Sequence, residues 1–584
     1  MHIKEDSPEV INRNPDEVMA KIGLRSRSLH VAVFFVFLYG AIIAKLVYLG
    51  IQSEQYSTKR VTRPTRQQLS WNRPDILDRN GELLATDVKT FSLYAEPRLI
   101  PEDNVNEVMN KLSKVIPGIK NSQTIRKRLS SRAGFAWIKR KLAGNKRQKI
   151  FNLGIPGTGF IKENGRFYPG GGLASHVVGY VNVDNRGLAG IEKHIDSRIR
   201  IADIQRKKTG ASAQTKMKEQ QLALDTRVQH VVRNELSNAI KLHRAKAGVG
   251  IVLNVHTGEV LAMVSLPDFN LNNPGRFFAN EKHMNRATAG IYEMGSIFKI
   301  FNTALALDRE TAELDKIYPI SKYIQIGRHK IKEFHYKKRP LNVAEIFIYS
   351  SNVGSVHMAL EVGPVEQREF FDKLGLLQRL KTELPELRDT QYSSKLSDIN
   401  TATMSFGHGI AVSPLHVVAS AAAMINGGLY IPPTFFPRSS AEASKIAKRV
   451  IKKTTSDEMI VLLRLCVEEG SCKNAEVPGY QVGGKTGTAE KITEGKYAKD
   501  RHFNSFLAAF PSAFPLRKPE YVLLVVLDEP MALDDDTADL SGNTCAKTAS
   551  KIISRIAGML DVKPAFGLPS LKQAYSVRDM NTEH

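Results

Sequence analysis

At 584 residues the chain is too long for one ordinary domain, and an apolar fraction of 42% is ample for globular cores. Three cysteines exclude a disulfide-stapled scaffold, and no pair of them has the spacing of a zinc site. A formal net charge of +24 admits nucleic acid, anionic lipid or a phosphorylated lipid substrate as partners, but no helix-turn-helix or finger pattern favours nucleic acid.

The first element in chain order is apolar. Leu29 to Ala44 and Leu46 to Ile51 carry no charge, so residues 29–51 form a run broken only by Lys45. A spanning helix needs about 20 apolar residues, and a lysine in the last third can snorkel to the interface. Gln52-Ser53-Glu54-Gln55 is a poor cleavage site, which argues for an uncleaved anchor rather than a signal peptide. Basic residues flank both sides of the run, so charge alone does not set its orientation. The reading is a tail over 1–28, a membrane helix over 29–51, and the rest of the chain on the far side.

Residues 52–220 form a first region with no pair of residues that suggests chemistry. Phe91-Ser92-Leu93-Tyr94-Ala95 alternates as a strand does, and Asp78-Arg79-Asn80-Gly81 reads as a turn. From Lys111 to Lys149 there are thirteen Lys and Arg and no Asp or Glu; the expectation is a solvated basic face. Arg206 to Ser212 reads as an exposed polar connector.

The second region, 221–566, opens with helical spacing over Asp225–Leu242. Gly248–Leu253 and Val260–Val264 follow as paired strands around a His256-Thr257-Gly258-Glu259 turn. Ser505–Phe510 and Tyr521–Leu527 are two further apolar strands, and Cys545–Leu560 is a closing helix. Strands at both ends with helices between predict an α/β domain whose sheet joins distant parts of the chain. The tail 567–584 carries no pattern. Cys466 and Cys472 are close enough to bridge, and buried free thiols are the expected state.

Three patches inside this region supply the parts of one reaction. In Gly295-Ser296-Ile297-Phe298-Lys299, three residues along a helix is nearly one turn, so Lys299 can aim its amine at the Ser296 hydroxyl. The hydroxyl is a weak nucleophile until a base takes its proton, and a lysine is that base only when burial or a nearby cation depresses its pKa. In Ser350-Ser351-Asn352, the first serine can relay a proton and the asparagine can bond Lys299 and a substrate amide. In Lys485-Thr486-Gly487-Thr488, expected on a strand edge, the lysine brings charge, the threonines can bond a carboxylate, and Gly487 allows close backbone approach. The backbone N–H groups of Ser296 and Thr488 could form an oxyanion hole. These parts call for no metal and no organic cofactor.

The trio is shared by penicillin-binding proteins and class A β-lactamases. Asn285-Arg286-Ala287, Tyr292 to Lys299, Thr257 to Met263 and Gly483 to Glu490 resemble class B penicillin-binding proteins. Phe406-Gly407-His408-Gly409-Ile410 with Ser413-Pro414-Leu415, and Phe506 to Pro511, resemble the septal, FtsI-type transpeptidase; the elongation counterpart more often has Gly-Gln-Gly. Asp78 to Gly81, Trp137 to Arg140 and Gly187 to Glu192 look like motifs of that family's pedestal. Pro74 and Met294 depart from it, where Gly and Pro are usual. No Glu-x-x-Leu-Asn of a class A β-lactamase lies between Asn352 and Lys485.

The resemblance implies a multi-domain chain of mixed α/β and α+β character. Its parts would be a single transmembrane helix, a mostly β pedestal and a transpeptidase domain with an antiparallel sheet flanked by helices. It implies D,D-transpeptidation of septal peptidoglycan in the periplasm through an acyl-enzyme on Ser296. Its partners would be stem peptides and their lipid-linked precursor, β-lactams, and other membrane division proteins, a glycosyltransferase among them. The alternatives are an elongation-type transpeptidase and a β-lactam sensor or division scaffold without turnover.

Overall fold

The computed structural model describes residues 33–48, 73–209, 218–273, 281–493, 496–531 and 541–571. Residues 33–48 are helical and their apolar side chains, from Val33 through Phe37 to Tyr48, are exposed. Among the described residues no helix is long and apolar enough to cross a membrane. The rest of the expected span, 29–32 and 49–51, lies outside the described residues, as do the tail 1–28 and residues 572–584.

The remainder of the chain, from residue 72 on, is one compact unit. Its first part is built on β1 (Leu83–Ala95), which pairs antiparallel with both β2 (Ala136–Leu142) and β3 (Thr158–Phe167). Ile76–Leu77 pairs antiparallel with β1 and parallel with Gln220–Gln221, so the two ends of the region meet in one sheet. Helices Val105–Ser113, Gln123–Leu129 and Gly144–Phe151 form a distal lobe with its own core, where Leu93, Val108, Leu112, Ile125, Leu129 and Ile138 meet. Lys114, Lys120, Arg126, Lys127 and Lys149 of the basic stretch are exposed on this lobe, whereas Arg140 is held between Glu163 and Asp184 at 2.6 and 2.7 Å.

Two expectations are corrected here. The pedestal is not mostly β: these helices and the long α1 (Gly190–Thr209) take up more of it than the strands do. The reason is the spacing of Val105, Val108, Met109 and Leu112, buried at i, i+3, i+4 and i+7, which is a helix face. Arg206–Thr209 of the expected connector are helical instead, because no glycine or proline lies between Gly190 and Gly210 and α1 runs on to Thr209; residues 210–212 lie outside the described residues.

The second part has a five-stranded antiparallel sheet. β4 (Ala247–Asn254) and β5 (Val260–Leu266) form the expected hairpin. β6 (Gly483–Thr493), β7 (Lys496–Phe510) and β8 (Tyr521–Asp528) complete the order β6–β7–β8–β4–β5, with β6 at one edge. Every described residue of β5 and all but the last of β4 and β8 are buried, as strands covered on both faces require.

α2 (Thr226–Leu242) covers one face. Asp225 caps it by accepting from the N–H groups of Arg227 and Val228, and Val228, Val231, Val232 and Leu236 turn inward. The helix lies close because a Cβ at Gly250 would come within 2.5 Å of Val232. The other face carries α3 (Lys299–Asp308), α4 (Asn352–Val362), α5 (Pro414–Ile425) and α6 (Lys453–Glu468); α3 and α5 are buried along their whole length. α7 (Lys547–Ile556) closes the domain beside α2, after a π-helical turn at Gly542–Ala546.

The base of the pedestal shares a continuous apolar core with this domain, through Ile76, Leu84, Tyr168, Val177 and Ile191. Asp78 is the polar joint. Its fully buried carboxylate turns the chain by accepting from the N–H groups of Asn80 and Glu82 at 2.7 and 2.9 Å. It also accepts from the backbone N–H and hydroxyl of Thr226, the first residue of α2, at 3.0 and 2.7 Å.

Candidate active site

Ser296 does not sit in a regular α-helix. Gly295–Phe298 is a 3-10 turn, and α3 begins at Lys299. The tighter turn follows from what crowds it. Gly295 has φ +56, and a Cβ there would lie 2.3 Å from the Thr488 carbonyl oxygen. A Cβ at Gly487 would lie 2.5 Å from the Met294 carbonyl oxygen, and one at Gly407 would lie 2.2 Å from that of Gly295. Three backbones therefore touch at the serine, and only glycine at each contact permits it. Phe406-Gly407-His408-Gly409, which carried no chemistry in the sequence, is a wall of the site: the Gly409 N–H donates to Glu293 Oε1 at 2.8 Å, three residues before Ser296.

Lys299 is fully buried and collects the first two patches. Its Nζ lies 3.1 Å from Ser296 Oγ, 2.5 Å from the Ser350 carbonyl oxygen, 3.1 Å from Ser350 Oγ and 2.7 Å from Asn352 Oδ1. Ser350 aims both its oxygens at the amine because it adopts φ +59, a left-handed conformation uncommon for a residue with a side chain. Burial holds the Lys299 ammonium well below the ordinary lysine range; the Lys485 charge pushes the same way and Glu333 opposes both.

Glu333, invisible to the sequence reading, organises the second patch. Its carboxylate accepts from the Ser351 hydroxyl at 2.5 Å and from the N–H groups of Asn352 and Val353 at 3.3 and 3.0 Å. It thus caps α4 from outside, while Ser351 caps it from within by accepting from Gly354 N at 3.0 Å. The Asn352 Nδ2 donates to the Lys332 carbonyl at 3.3 Å, which fixes the amide so that its oxygen faces Lys299.

The third patch lies on the edge strand β6, as expected. Lys485 is fully buried, and its Nζ has no hydrogen-bond partner among the described residues. Thr486 Oγ1 is 3.1 Å from Ser471 Oγ. Thr488 Oγ1 is 2.6 Å from Ser541 Oγ, and Ser541 donates its one proton to the Gly487 carbonyl at 2.9 Å. The Thr488 hydroxyl is therefore the donor to Ser541. Ser541 is a second residue the sequence reading missed. Ser505 adds a donor to the same carbonyl at 3.2 Å.

The arrangement is a nucleophile, a buried amine against it, a second hydroxyl on that amine, and an unpartnered cation on an adjoining strand. Known proteins are similar to the chain in sequence and fold. The penicillin binding protein transpeptidase domain model matches residues 248–553, and the penicillin-binding protein dimerisation domain model matches residues 69–221. The chain is 36% identical over 501 residues to the probable peptidoglycan D,D-transpeptidase FtsI of Caulobacter vibrioides, covering 84% of this chain and 82% of that one. It is 30% identical over 557 residues to the probable peptidoglycan D,D-transpeptidase PenA of Neisseria meningitidis, covering 91% and 93%. Among solved structures, the apo TP domain of Burkholderia pseudomallei penicillin-binding protein 3 is similar with a TM-score of 0.53 and 28% identity, over 59% of this chain and 98% of that one. The transpeptidase match alone spans more than half of the chain, so the protein belongs to the penicillin-binding proteins, in their class B, FtsI-type branch.

Proposed function

We propose that the protein is a peptidoglycan D,D-transpeptidase that cross-links stem peptides of the division septum. The observation that carries the reading is the set of acceptors around Lys299. The Ser350 carbonyl and the Asn352 Oδ1 can only accept, so they hold two N–H groups of the amine. The remaining direction faces the two hydroxyls, each at 3.1 Å. In the neutral amine that burial favours, this direction is a lone pair. It takes the Ser296 proton as Oγ attacks the carbonyl of the penultimate D-Ala. Ser350, on the same nitrogen, relays a proton to the leaving D-Ala amine. A neighbouring stem's amine then resolves the ester and forms the cross-link.

In this reading Lys299 is the base, Ser350 the relay and Asn352 the positioner of both amine and substrate amide. Lys485, Thr486, Gly487 and Thr488 form the carboxylate cradle. Lys485 has a free donor set for that anion, whereas Thr488 must turn its proton from Ser541 to donate to it. The N–H groups of Ser296 and Thr488 receive the developing oxyanion, an effect worth roughly 10²–10³ in rate per donor. β-Lactams acylate Ser296 because they present a strained amide to the same atoms. Residues 52–220 act as a pedestal and 221–566 as the transpeptidase domain. Residues 29–51 anchor the chain in the inner membrane with the catalytic domain in the periplasm. The lipid-linked precursor and other membrane division proteins, a glycosyltransferase included, are its partners there.

Ser296→Ala is expected to abolish labelling by fluorescent penicillin with an unchanged melting curve; retained labelling would remove Ser296 as nucleophile. Replacing residues 29–51 by an unrelated spanning segment is expected to spare acylation and impair localisation to the septum. Unchanged localisation would reduce the segment to an anchor.

A further inference from the structure

Cys466 and Cys472 lie directly behind the second and third motifs. Both are fully buried thiols, and their sulfurs are 2.9 Å apart. Cys466 is near the end of α6, and the chain turns back at once, with the Cys472 N–H donating to the Cys466 carbonyl at 3.2 Å. Each sulfur also touches backbone that leads to the site. The Cys466 thiol reaches toward the Ile348 carbonyl at 4.0 Å, two residues before Ser350. The Cys472 thiol faces the Gly484 carbonyl at 3.6 Å, the residue before Lys485. Between the cysteines, Ser471 holds Thr486. The third cysteine, Cys545, is buried elsewhere, against the Asn504 carbonyl at 3.3 Å.

We infer that Cys466 and Cys472 form a dithiol–disulfide site whose oxidation state is felt by the Ser296 acylation machinery. The sulfurs already touch, and a covalent bond needs them only about 0.9 Å closer. Burial pushes the Cys472 thiol up, but the hydrogen bond from Cys466 and the Lys485 charge outweigh it and hold Cys472 down to about 7. Cys472 is thus the attacking sulfur, since the thiolate is the nucleophile. The oxidant is an external disulfide, which reaches the buried pair when the half-buried turn 468–471 opens. The Cys472 thiolate attacks one of its sulfurs and expels a thiolate, leaving a mixed disulfide. Cys466 then gives its proton to the expelled thiolate and attacks the Cys472 sulfur, expelling the second thiolate. Two thiols are oxidised, one external disulfide is reduced to two thiols, and the new bond joins Cys466 to Cys472.

Bonding draws the turn 468–472 toward α6 and removes the thiol proton that faces the Gly484 carbonyl. The Ser471 contact carries that movement to Thr486. Misplacing a catalytic group by about 1 Å can cost ~10²-fold in rate, so we expect the oxidised protein to be acylated about tenfold more slowly.

The test uses the full-length protein in detergent, equilibrated at neutral pH across ratios of reduced to oxidised glutathione. Thiols are alkylated in denaturant, peptides are mapped by mass spectrometry, and acylation by fluorescent penicillin is timed in parallel. The expected result is a cross-linked Cys466–Cys472 peptide, Cys545 still alkylated, and slower acylation that dithiothreitol restores. Three alkylated thiols at every ratio, glutathione retained on one cysteine, or pairing to Cys545 would each overturn the site. A clean disulfide with unchanged acylation would overturn the coupling. Cys466→Ala/Cys472→Ala should acylate at one rate across all ratios; a response like that of the wild type would also overturn it. The wild-type measurements decide the matter even where that variant does not fold. The coupling rests on the transpeptidase reading, yet the two fail separately: an unlabelled reduced protein strikes that reading, whereas unpaired thiols strike only this inference.

Discussion

A lysine that works as a base must be neutral when its substrate arrives, and the surroundings of Lys299 push it toward that state. Burial removes the water that would stabilise the ammonium, and the Lys485 charge adds to the effect. The consequence has a definite sign. Below the depressed pKa of Lys299 the amine is protonated and acylation is slow; the rate rises as pH climbs through that pKa. This limb lies well below the ordinary lysine value. Lys485→Met keeps the buried stem and deletes the charge, so the Lys299 pKa should rise and the limb should move to higher pH, measured as the pH profile of the second-order acylation rate. The absolute rate also falls as the carboxylate anchor is lost, but only the limb position reports on Lys299. An unmoved limb would separate the two lysines electrostatically.

Helix α4 shows how an element sets what a residue can do. Its first residue, Asn352, belongs to the site, and its N-terminus is capped by a carboxylate from outside the helix, Glu333. Glu333→Gln is expected to weaken the cap by about 0.5–2 kcal/mol, read as a lower denaturation midpoint. It also removes the anion that favours charged Lys299, so the pH limb should move down, opposite to Lys485→Met. A shift in the same direction as Lys485→Met would refute the electrostatic account. Glu333 also marks where sequence reasoning stops. Ser296 and Lys299 were legible because three residues is nearly a helical turn, and the hairpin of β4 and β5 because two apolar runs flank a turn. Glu333 is 17 residues from Ser350 and Ser541 is 53 from Thr488; no periodicity relates either residue to its target. The pedestal helix at 105–113 is legible in the spacing of Val105, Val108, Met109 and Leu112, whereas 123–129 offers only Ile125 and Leu129 among basic residues. The Phe406–Gly409 wall was legible only as a resemblance, since its work is done by backbone that must come close.

Across the whole molecule, the pedestal is fastened by charges that the site does not use. Glu192 is fully buried at the start of α1, with Arg73 at 2.8 Å and Arg166 at 2.6 Å from its two carboxylate oxygens. Arg166 also pairs with Asp87 at 3.2 Å, and Arg73 pairs with Asp196. The group joins the segment entering the first strand, the end of β3 and the first turn of α1, which are far apart in sequence. Such a cluster adds little over a well-packed apolar one, but breaking it leaves charge buried without a partner, at a cost of about 3–5 kcal/mol. Glu192→Ala leaves Arg166 with Asp87 alone and Arg73 with Asp196 alone, so the denaturation midpoint should fall, by no more than the equivalent of that cost. None of the bonds that shape the site, at Gly295 to Lys299, Ser350 to Asn352, Gly407 and Lys485 to Thr488, runs through this cluster. Acylation per folded molecule should therefore stay within about twofold of wild type, counted as penicillin label on protein that resists a brief protease pulse. If label and protease resistance instead declined in different proportion, the buried charges would be acting on the serine itself, through the apolar core that the pedestal base shares with the catalytic domain.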